Sequence, residues 1–158
     1  REEALTILKD IVVSNHYIFC EGFADWTDAI QAAAEPLRAD GIIEDSYIRS
    51  IIENVKEYGP YIIIAPEVAM PHSTLGGEGV HDTCLSFMKT EKPVVFDPED
   101  PSKNARLFFT LAATDNEKHL SNMVALAEFL LKDGAIEDLL KAQNADDLMK
   151  VHWKYSEQ

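Results

Sequence analysis

Apolar residues recur at spacings of three and four along three segments of this chain, a pattern typical of amphipathic helices. The three segments are residues 26–39, 48–55 and 117–132. Each follows an aspartate that can cap a helix N-terminus, and the predicted N-cap residues are Asp25, Asp45 and Asp115. Because proline removes a backbone hydrogen bond, Pro36 predicts a bend near Glu35 in the first helix. Two shorter helices are expected after Gly134.

The second and third helices have apolar faces that predict how they pack. The face of the second helix consists of Ile48, Ile51, Ile52 and Val55. The face of the third helix consists of Leu120, Met123, Val124, Ala127, Leu130 and Leu131. We expect both faces to be buried in the core.

Short runs of β-branched, aromatic and other apolar residues between these helices predict strands. Residues 106–113 are almost entirely apolar, which predicts a central strand buried on both faces, and the isoleucine-rich run 61–65 predicts another buried strand. Residues 83–88 and 93–96 are separated by the polar segment 89–92, which predicts a hairpin. Since helices and strands alternate, the predicted fold is α/β, a single domain of residues 1–158 with a mixed β-sheet flanked by helices on both faces.

The composition excludes several classes of function. The 158 residues carry 28 acidic and 14 basic side chains, a net charge of −14, which repels nucleic acid and anionic lipid. No apolar run is long enough to span a bilayer, and the first ten residues do not resemble a signal peptide, so we expect a cytoplasmic protein. An acidic surface favours encounter with a basic protein partner. The alternative, which is sufficient by itself, is that the acidic residues keep the protein soluble.

Neither the cysteines nor the glycines predict a cofactor or metal site. Cys20 and Cys84 are far apart in the sequence and have no CxxC or zinc-type spacing, so we expect reduced core residues. The glycine-rich segment 76–79 lacks the spacing of a dinucleotide-binding fingerprint. We therefore predict chemistry without cofactor or metal.

His72 is the strongest candidate for a reactive side chain. It follows the isoleucine-rich run in the segment 65–73, between Pro71 and Ser73, where prolines interrupt sheet hydrogen bonding. A neutral imidazole exposed there can accept an acyl or phosphoryl group and release it again. The alternative is a surface histidine in an ordinary turn.

His119 is a second candidate because of its place in the third helix. If Asp115 is the N-cap, His119 lies in the first turn, where free backbone N–H groups favour an anion. His72 and His119 each follow a strand, so both are expected at the same edge of the sheet. There His119 would donate a hydrogen bond to a phosphoryl group on His72. The alternative is a helical residue that faces solvent.

Several motifs together resemble a known family. They are GPY at 59–61, IIIAP at 62–66, AMPHS at 69–73, TDNEKHLSNMVALAEFLL at 114–131 and WTDAIQAAAEPLRADG at 26–41. The combination is similar to enzyme IIA of the bacterial sugar phosphotransferase system, mannitol and fructose type, and within it to the ascorbate-specific branch. The resemblance covers nearly the whole chain.

The resemblance implies a cytoplasmic phosphoryl carrier with a phosphohistidine intermediate. His72 would accept the phosphoryl group from the histidine-containing phosphocarrier protein and pass it to a cysteine of enzyme IIB, and His119 would be the second histidine of the site. The sugar, ascorbate-like by resemblance, would be phosphorylated during uptake by the membrane component. The sequence leaves open the sugar itself and whether the chain forms a homo-oligomer.

Two departures from the family pattern keep other functions open. The helix before His72 has Lys56 where mannitol-type members carry an active-site arginine, and Arg49 is out of place. Glu67 is expected to lie near the phosphoryl site and to oppose its charge, unless its side chain points to solvent. The alternative function is therefore a regulatory EIIA-like binding module, and a histidine-based hydrolase is a third option that lacks a recognisable nucleophile motif.

The sequence also suggests where a partner would dock. Val68, Ala69 and Met70 are apolar and lie just before His72, so they are candidates for the centre of a docking face, with ordinary core packing as the alternative. His81, in the following glycine-rich loop, is a candidate for the rim of that face or a plain exposed residue.

Overall fold

A mixed β-sheet lies between two layers of helices in the computed structural model, which describes residues 2–74 and 77–156. The strands are β1 (Tyr17–Cys20), β2 (Ile63–Ala65), β3 (Glu67–Ala69), β4 (Cys84–Val94) and β5 (Ala105–Ala112). The helices are α1 (Glu2–Val13), α2 (Trp26–Ala39), α3 (Asp45–Tyr58), α4 (Asn116–Leu130), α5 (Ala135–Lys141) and α6 (Ala145–Ser156), with a short 3-10 helix at Pro101–Lys103. The α/β prediction with a mixed sheet is confirmed.

The sheet is mixed because parallel and antiparallel strand pairs alternate across it. The strand order is β1-β4-β5-β3-β2, with β1 parallel to β4, β4 antiparallel to β5, β5 parallel to β3, and β3 antiparallel to β2. The central strand β5 is buried along its length except at Arg106, which is half-buried. The predicted central strand is therefore confirmed.

Helices cover both faces of the sheet, as predicted. Alternate residues of a strand point to opposite faces, so Phe109 faces one helix layer while Phe108 faces the other. The first layer consists of α1, α4, α5 and α6, and the second of α2 and α3. His72 and the start of α4 lie where β3 and β5 leave this sandwich.

Two of the three predicted helix caps are confirmed. The side chain of Asp25 accepts a hydrogen bond from the backbone N–H of Thr27, and Asp115 accepts one from that of Lys118. The third is wrong by one residue, because Asp45 is already helical and the N-cap residue Glu44 makes no side-chain cap bond. Helix α2 continues through Pro36 to Ala39, so proline does not end it, and the bend near Glu35 stays a prediction.

The predicted hairpin at residues 83–96 is wrong, because β4 runs unbroken from Cys84 to Val94. Lys89, taken as part of a polar turn, is fully buried. Its ammonium group donates to the carbonyl oxygen of Leu140 at 3.1 Å and to that of Ala142, at the C-terminus of α5. It also pairs with Glu91 at 2.9 Å. A buried cation with three acceptors is compatible with a central strand.

The strand before His72 also differs from the prediction. Strand β2 is the edge of the sheet, and Ile64 is 37% exposed rather than buried. The chain turns back at Pro66 and Glu67, where Glu67 has a φ of 70°, and β3 then leads to the histidine. The sequence pattern missed β3 because prolines bracket its three residues.

The apolar face predicted for the third helix is largely wrong. The buried residues of α4 are Ala125, Leu126, Phe129 and Leu130. Leu120, Val124 and Leu131, which we call the α4 stripe, are 63%, 50% and 84% exposed. These three side chains therefore form an apolar surface that begins one residue after His119.

A buried hydroxyl in β5 gives a testable prediction about stability. Thr110 is fully buried, and its Oγ1 has no hydrogen-bond partner within the described parts of the chain. Because valine has the same shape and no hydroxyl to desolvate, Thr110→Val is expected to raise the free energy of unfolding by about 1 kcal/mol in urea denaturation.

The matched control lies directly opposite Thr110 in β4. Ser86 is also fully buried, but its hydroxyl donates to the carbonyl oxygen of Ala33 at 2.8 Å. Ser86→Ala is therefore expected to lower the free energy of unfolding by about 1 kcal/mol. A loss of stability in both variants would show that the Thr110 hydroxyl is paired in solution.

Candidate active site

His72 lies where β3 separates from the sheet. In the part of the chain that the structure describes, the last backbone bond of this segment to the sheet runs from Leu111 N to the carbonyl oxygen of Pro71 at 3.0 Å. The carbonyl oxygen of His72 itself accepts a hydrogen bond from the hydroxyl of Tyr61. His72 is 9% exposed, so the imidazole is mostly shielded and yet reaches the surface.

The hydrogen bond of the His72 ring determines which nitrogen can react. Nδ1 lies 2.6 Å from the carbonyl oxygen of Met70. Because a carbonyl oxygen only accepts, Nδ1 carries the ring proton in the neutral imidazole and Nε2 keeps the lone pair. Burial lowers the pKa of His72, an effect that the bond to Met70 partly offsets. The Nε2 lone pair of the neutral ring is thus available near pH 7, which is what a histidine nucleophile requires.

His119 lies beside His72, as the sequence predicted. It is the fourth residue of α4, and the centres of the two rings are 5.3 Å apart. Burial, and secondly the charge of His72, lower the pKa of His119. The structure therefore brings the two predicted site residues together, while their catalytic roles stay a prediction.

A small cavity joins the two histidines. It has a volume of about 180 Å³ and is lined by His72, Ser73, Thr74, Gly77, Ala113, Asp115, Asn116 and His119. Pockets for whole small molecules usually measure about 300–1,000 Å³, so this one fits a transferred group better than a sugar.

Among the described residues that line the cavity there is neither lysine nor arginine, so the start of α4 is the feature that can favour an anion there. Asp115 caps α4 by binding the N–H of Lys118, and a helix N-terminus favours a bound anion. Arg49 and Lys56 do not line the cavity, and Lys56 lies 3.9 Å from Glu53 on the exposed side of α3. Among the described residues, no cluster of three or more metal-binding side chains occurs.

A group of polar residues on α3, which the sequence analysis missed, supports the loop after His72. Tyr47, Ser50 and Asn54 recur at spacings of three and four, and all three contact Ser73. Tyr47 is 1% exposed and donates its hydroxyl to the carbonyl oxygen of Leu111 at 2.6 Å, and burial raises its pKa to about 12. The signal available in the sequence was a polar residue, Asn54, beside an apolar helical face.

Glu67 does not lie near the site, so the expected repulsion is wrong. It pairs with Ala105 at the beginning of β5, whereas Pro71 bonds to Leu111 near the end of β5. Five residues of nearly extended chain separate Glu67 from His72, which is about 17 Å. At that distance salt screens most of the interaction between charges at the surface.

The proposed docking centre is also wrong. Val68, Ala69 and Met70 are 0%, 0% and 1% exposed, so they pack in the core as the alternative stated. His81 is an exposed residue whose Nε2 lies 2.7 Å from Glu44, and it does not line the cavity.

The cysteines are unpaired, as expected, but they are half-buried rather than fully buried. Burial raises the pKa of both thiols. Cys84 also has a neighbour that the sequence did not suggest, since its Sγ lies 3.7 Å from Nδ1 of His16.

Both site histidines are expected to titrate below the ordinary imidazole pKa of 6.5 in the free protein. Because the unfolded chain binds these protons more readily, the stability that neutral His72 and His119 contribute is complete above about pH 6.5 and is lost as the pH falls through their lowered pKa values. NMR titration of the ring Cε1 protons would measure both midpoints. In His72→Asn the pKa of His119 should rise, because the charge of His72, one of the two causes that lower this pKa, is removed. A His72 midpoint at or above 6.5 would contradict this prediction.

Comparison with known proteins identifies the family. The sequence matches the family "Phosphoenolpyruvate-dependent sugar phosphotransferase system, EIIA 2" over residues 2–152. An ascorbate-specific PTS system EIIA component from Mycoplasma pneumoniae is 37% identical over 128 residues, which cover 80% of this chain and 79% of that protein. A PTS IIA domain from Streptococcus pyogenes has a similar structure, with a TM-score of 0.83 at 26% identity over 96% of both chains.

A further solved structure shares the fold. It is the enzyme IIA for mannitol from Escherichia coli, determined in complex with phosphorylated enzyme IIB, with a TM-score of 0.76 at 24% identity over 88% of this chain and 94% of that chain. The family match covers nearly all of the sequence, and the sheet and helices agree with the solved relative from Streptococcus pyogenes. The chain therefore belongs to the EIIA type 2 family of the phosphoenolpyruvate-dependent sugar phosphotransferase system.

Proposed function

We propose that this protein carries a phosphoryl group on Nε2 of His72, between the histidine-containing phosphocarrier protein and enzyme IIB. The observation that carries the proposal is the ring of His72. Its Nδ1 is bound to the Met70 carbonyl, and the residue lines a cavity shared with His119 and the N-terminus of α4. This arrangement supports a neutral nucleophile beside an anion site.

The transfer conserves atoms and electrons without a cofactor. The Nε2 lone pair of His72 attacks phosphorus while the bond from phosphorus to the donor histidine breaks, and the donor nitrogen keeps that electron pair. In the second step, a thiolate of enzyme IIB attacks the same phosphorus and the bond to Nε2 breaks. Nδ1 keeps its proton throughout, because the Met70 carbonyl holds it.

His119 supplies the donor that stabilises the transferring group. Negative charge on the phosphoryl oxygens raises the pKa of a neighbouring imidazole, so His119 takes up a proton more readily once His72 is phosphorylated. Together with the N-terminus of α4, His119 compensates the negative charge of the phosphoryl group. In mannitol-type members an arginine neutralises this charge.

The partners are proteins, and the exposed α4 stripe supports a docking surface for enzyme IIB. It begins at Leu120, next to His119, and interface centres favour apolar side chains. The phosphocarrier protein would dock on the same surface in turn, because both must reach His72. The solved complex of the Escherichia coli enzyme IIA for mannitol with phosphorylated enzyme IIB supports this partner class.

The curated relatives support an ascorbate-like sugar, which the membrane component would bind. In this proposal residues 1–158 act as one EIIA domain in the cytoplasm, where phosphoenolpyruvate supplies the phosphoryl group. Among the described helices, none is long and apolar enough to cross a membrane. The regulatory alternative loses its main support, since Glu67 lies far from His72.

The experiment is a reconstituted relay. Phosphoenolpyruvate, enzyme I, the phosphocarrier protein and this protein are mixed with the enzyme IIB of the ascorbate system, and intact mass is followed for each component. We expect one phosphoryl group on this protein and then on the enzyme IIB cysteine. Phosphorylation here without passage to enzyme IIB would favour the regulatory module, and no phosphorylation at all would overturn the proposal.

A further inference from the structure

Side-chain hydrogen bonds help to hold the described backbone that follows His72. Within the described residues, the last backbone bond to the sheet is the one at Pro71, and each of the next three residues has a side-chain partner. Tyr61 binds the His72 carbonyl, the hydroxyl of Tyr47 accepts from Ser73 N at 3.4 Å, and Asn54 binds Thr74. The position of the imidazole therefore depends on residues outside the cavity.

Asn54 makes the largest number of these contacts. Its side-chain oxygen accepts from Thr74 N at 2.9 Å, Thr74 Oγ1 at 2.9 Å and Ser73 Oγ at 3.2 Å. Asn54 is 4% exposed and does not line the cavity. A buried oxygen that collects three donors fixes the conformation of the segment that supplies them.

The hydroxyl groups of Ser73 and Thr74 gain a defined orientation from these bonds. Both residues line the cavity, and each donates its hydroxyl proton to Asn54. Their oxygens are thereby held in place at the wall of the cavity, next to the His72 ring. Without Asn54, the hydroxyls and the Thr74 N–H would turn to other partners, and the loop would lose its anchor on α3.

We propose that Asn54 is a positioning residue for phosphoryl transfer, which acts through Ser73 and Thr74 to hold His72 in line with its partners. This inference rests on the proposed function and deepens it. It assigns to α3 a role in the rate of transfer rather than in partner docking. Asn54 touches neither the reacting atoms nor the cavity, so its effect is on geometry.

The test compares Asn54→Leu, which removes the acceptor, with Asn54→Asp, which keeps it. Asn104→Leu is the matched control, because Asn104 precedes β5 at the end of the sheet far from His72. Two measurements are made on folded protein. The first gives the kcat and KM for phosphoryl acceptance from the phosphocarrier protein. The second gives the hydrogen-exchange rate of the Thr74 amide in the unphosphorylated state.

In Asn54→Leu we expect kcat to fall about tenfold or more with KM unchanged, and Thr74 exchange to accelerate about tenfold or more. In Asn54→Asp the Thr74 amide should exchange at about the wild-type rate, because the three hydrogen bonds persist. Asn104→Leu should change neither quantity.

Unchanged Thr74 exchange in Asn54→Leu, or an unchanged kcat, overturns the positioning role. Equal acceleration of Thr74 exchange in the leucine and aspartate variants also overturns it, since the acceptor would then be irrelevant. A wild type that accepts no phosphoryl group would instead overturn the proposed function, and the Thr74 exchange would still decide whether Asn54 anchors the loop.

Discussion

Replacement of His72 by asparagine is expected to abolish phosphoryl acceptance and to leave the fold intact. Asparagine has no nucleophilic nitrogen, so no covalent intermediate can form. Its amide N–H can still reach the Met70 carbonyl that Nδ1 binds in the wild type, which preserves the local backbone. The expected effect is complete loss of the added mass in the phosphoryl relay.

The control for this variant is another histidine outside the cavity. His81 is exposed, pairs with Glu44 and does not line the cavity, so His81→Gln is expected to accept the phosphoryl group at the wild-type rate. Circular dichroism and thermal unfolding establish that each variant is folded. A folded His72→Asn protein that still gains one phosphoryl group would move the acceptor to another residue.

Replacement of His119 by alanine is expected to slow transfer about hundredfold without preventing it. The nucleophile stays in place, but the phosphoryl oxygens lose a donor whose ring lies 5.3 Å from that of His72. Because the described residues of the cavity lining include no lysine or arginine, no other side-chain cation among them can substitute for it. The effect should therefore appear in the rate of the single-turnover reaction rather than in its end point.

Rapid-quench measurement of single-turnover transfer tests this prediction. His119→Gln is the matched variant, since its amide can donate one hydrogen bond without carrying charge, and it should recover part of the lost rate. Equal rates for wild type and His119→Ala would show that His119 does not contact the phosphoryl group during transfer.

The convergence of the two histidines could be predicted because it rests on local signals. Prolines mark the point where the chain leaves the sheet before His72, and the aspartate at 115 marks the start of the helix that carries His119. The strand that leads to His72 is β3 rather than the predicted run 61–65, and it is the parallel neighbour of β5, which precedes His119. Parallel neighbours end at the same edge, which brings the side chains together.

The packing of α4 could not be predicted from its apolar residues. Leucine, valine and alanine occur on several sides of this helix, so spacing alone does not decide which side faces the sheet. The first layer is shared by four helices, and their contacts select Leu126 and Phe129 and leave Leu120 and Leu131 outside. Tertiary packing thus decides which apolar face is buried.

Polar residues whose partners lie far away in the sequence were also missed. In the sequence, Lys89 suggests a polar turn. In the structure it is buried, because carbonyl groups at the end of α5, some fifty residues later, accept its hydrogen bonds. The role of Asn54 likewise cannot be predicted from the sequence, because its partner Thr74 lies twenty residues later in the chain. Glu67 was assigned to the site by closeness in sequence, whereas an extended strand carries it to the opposite end of the sheet.

The most direct test of the central claim is a long-range proton–nitrogen NMR correlation on the ¹⁵N-labelled, phosphorylated protein, with the histidine rings assigned. We predict a phosphoryl group on Nε2 of His72 with Nδ1 still protonated, because the Met70 carbonyl holds the Nδ1 proton. A phosphoryl group on Nδ1 of His72, or on His119, would contradict the account.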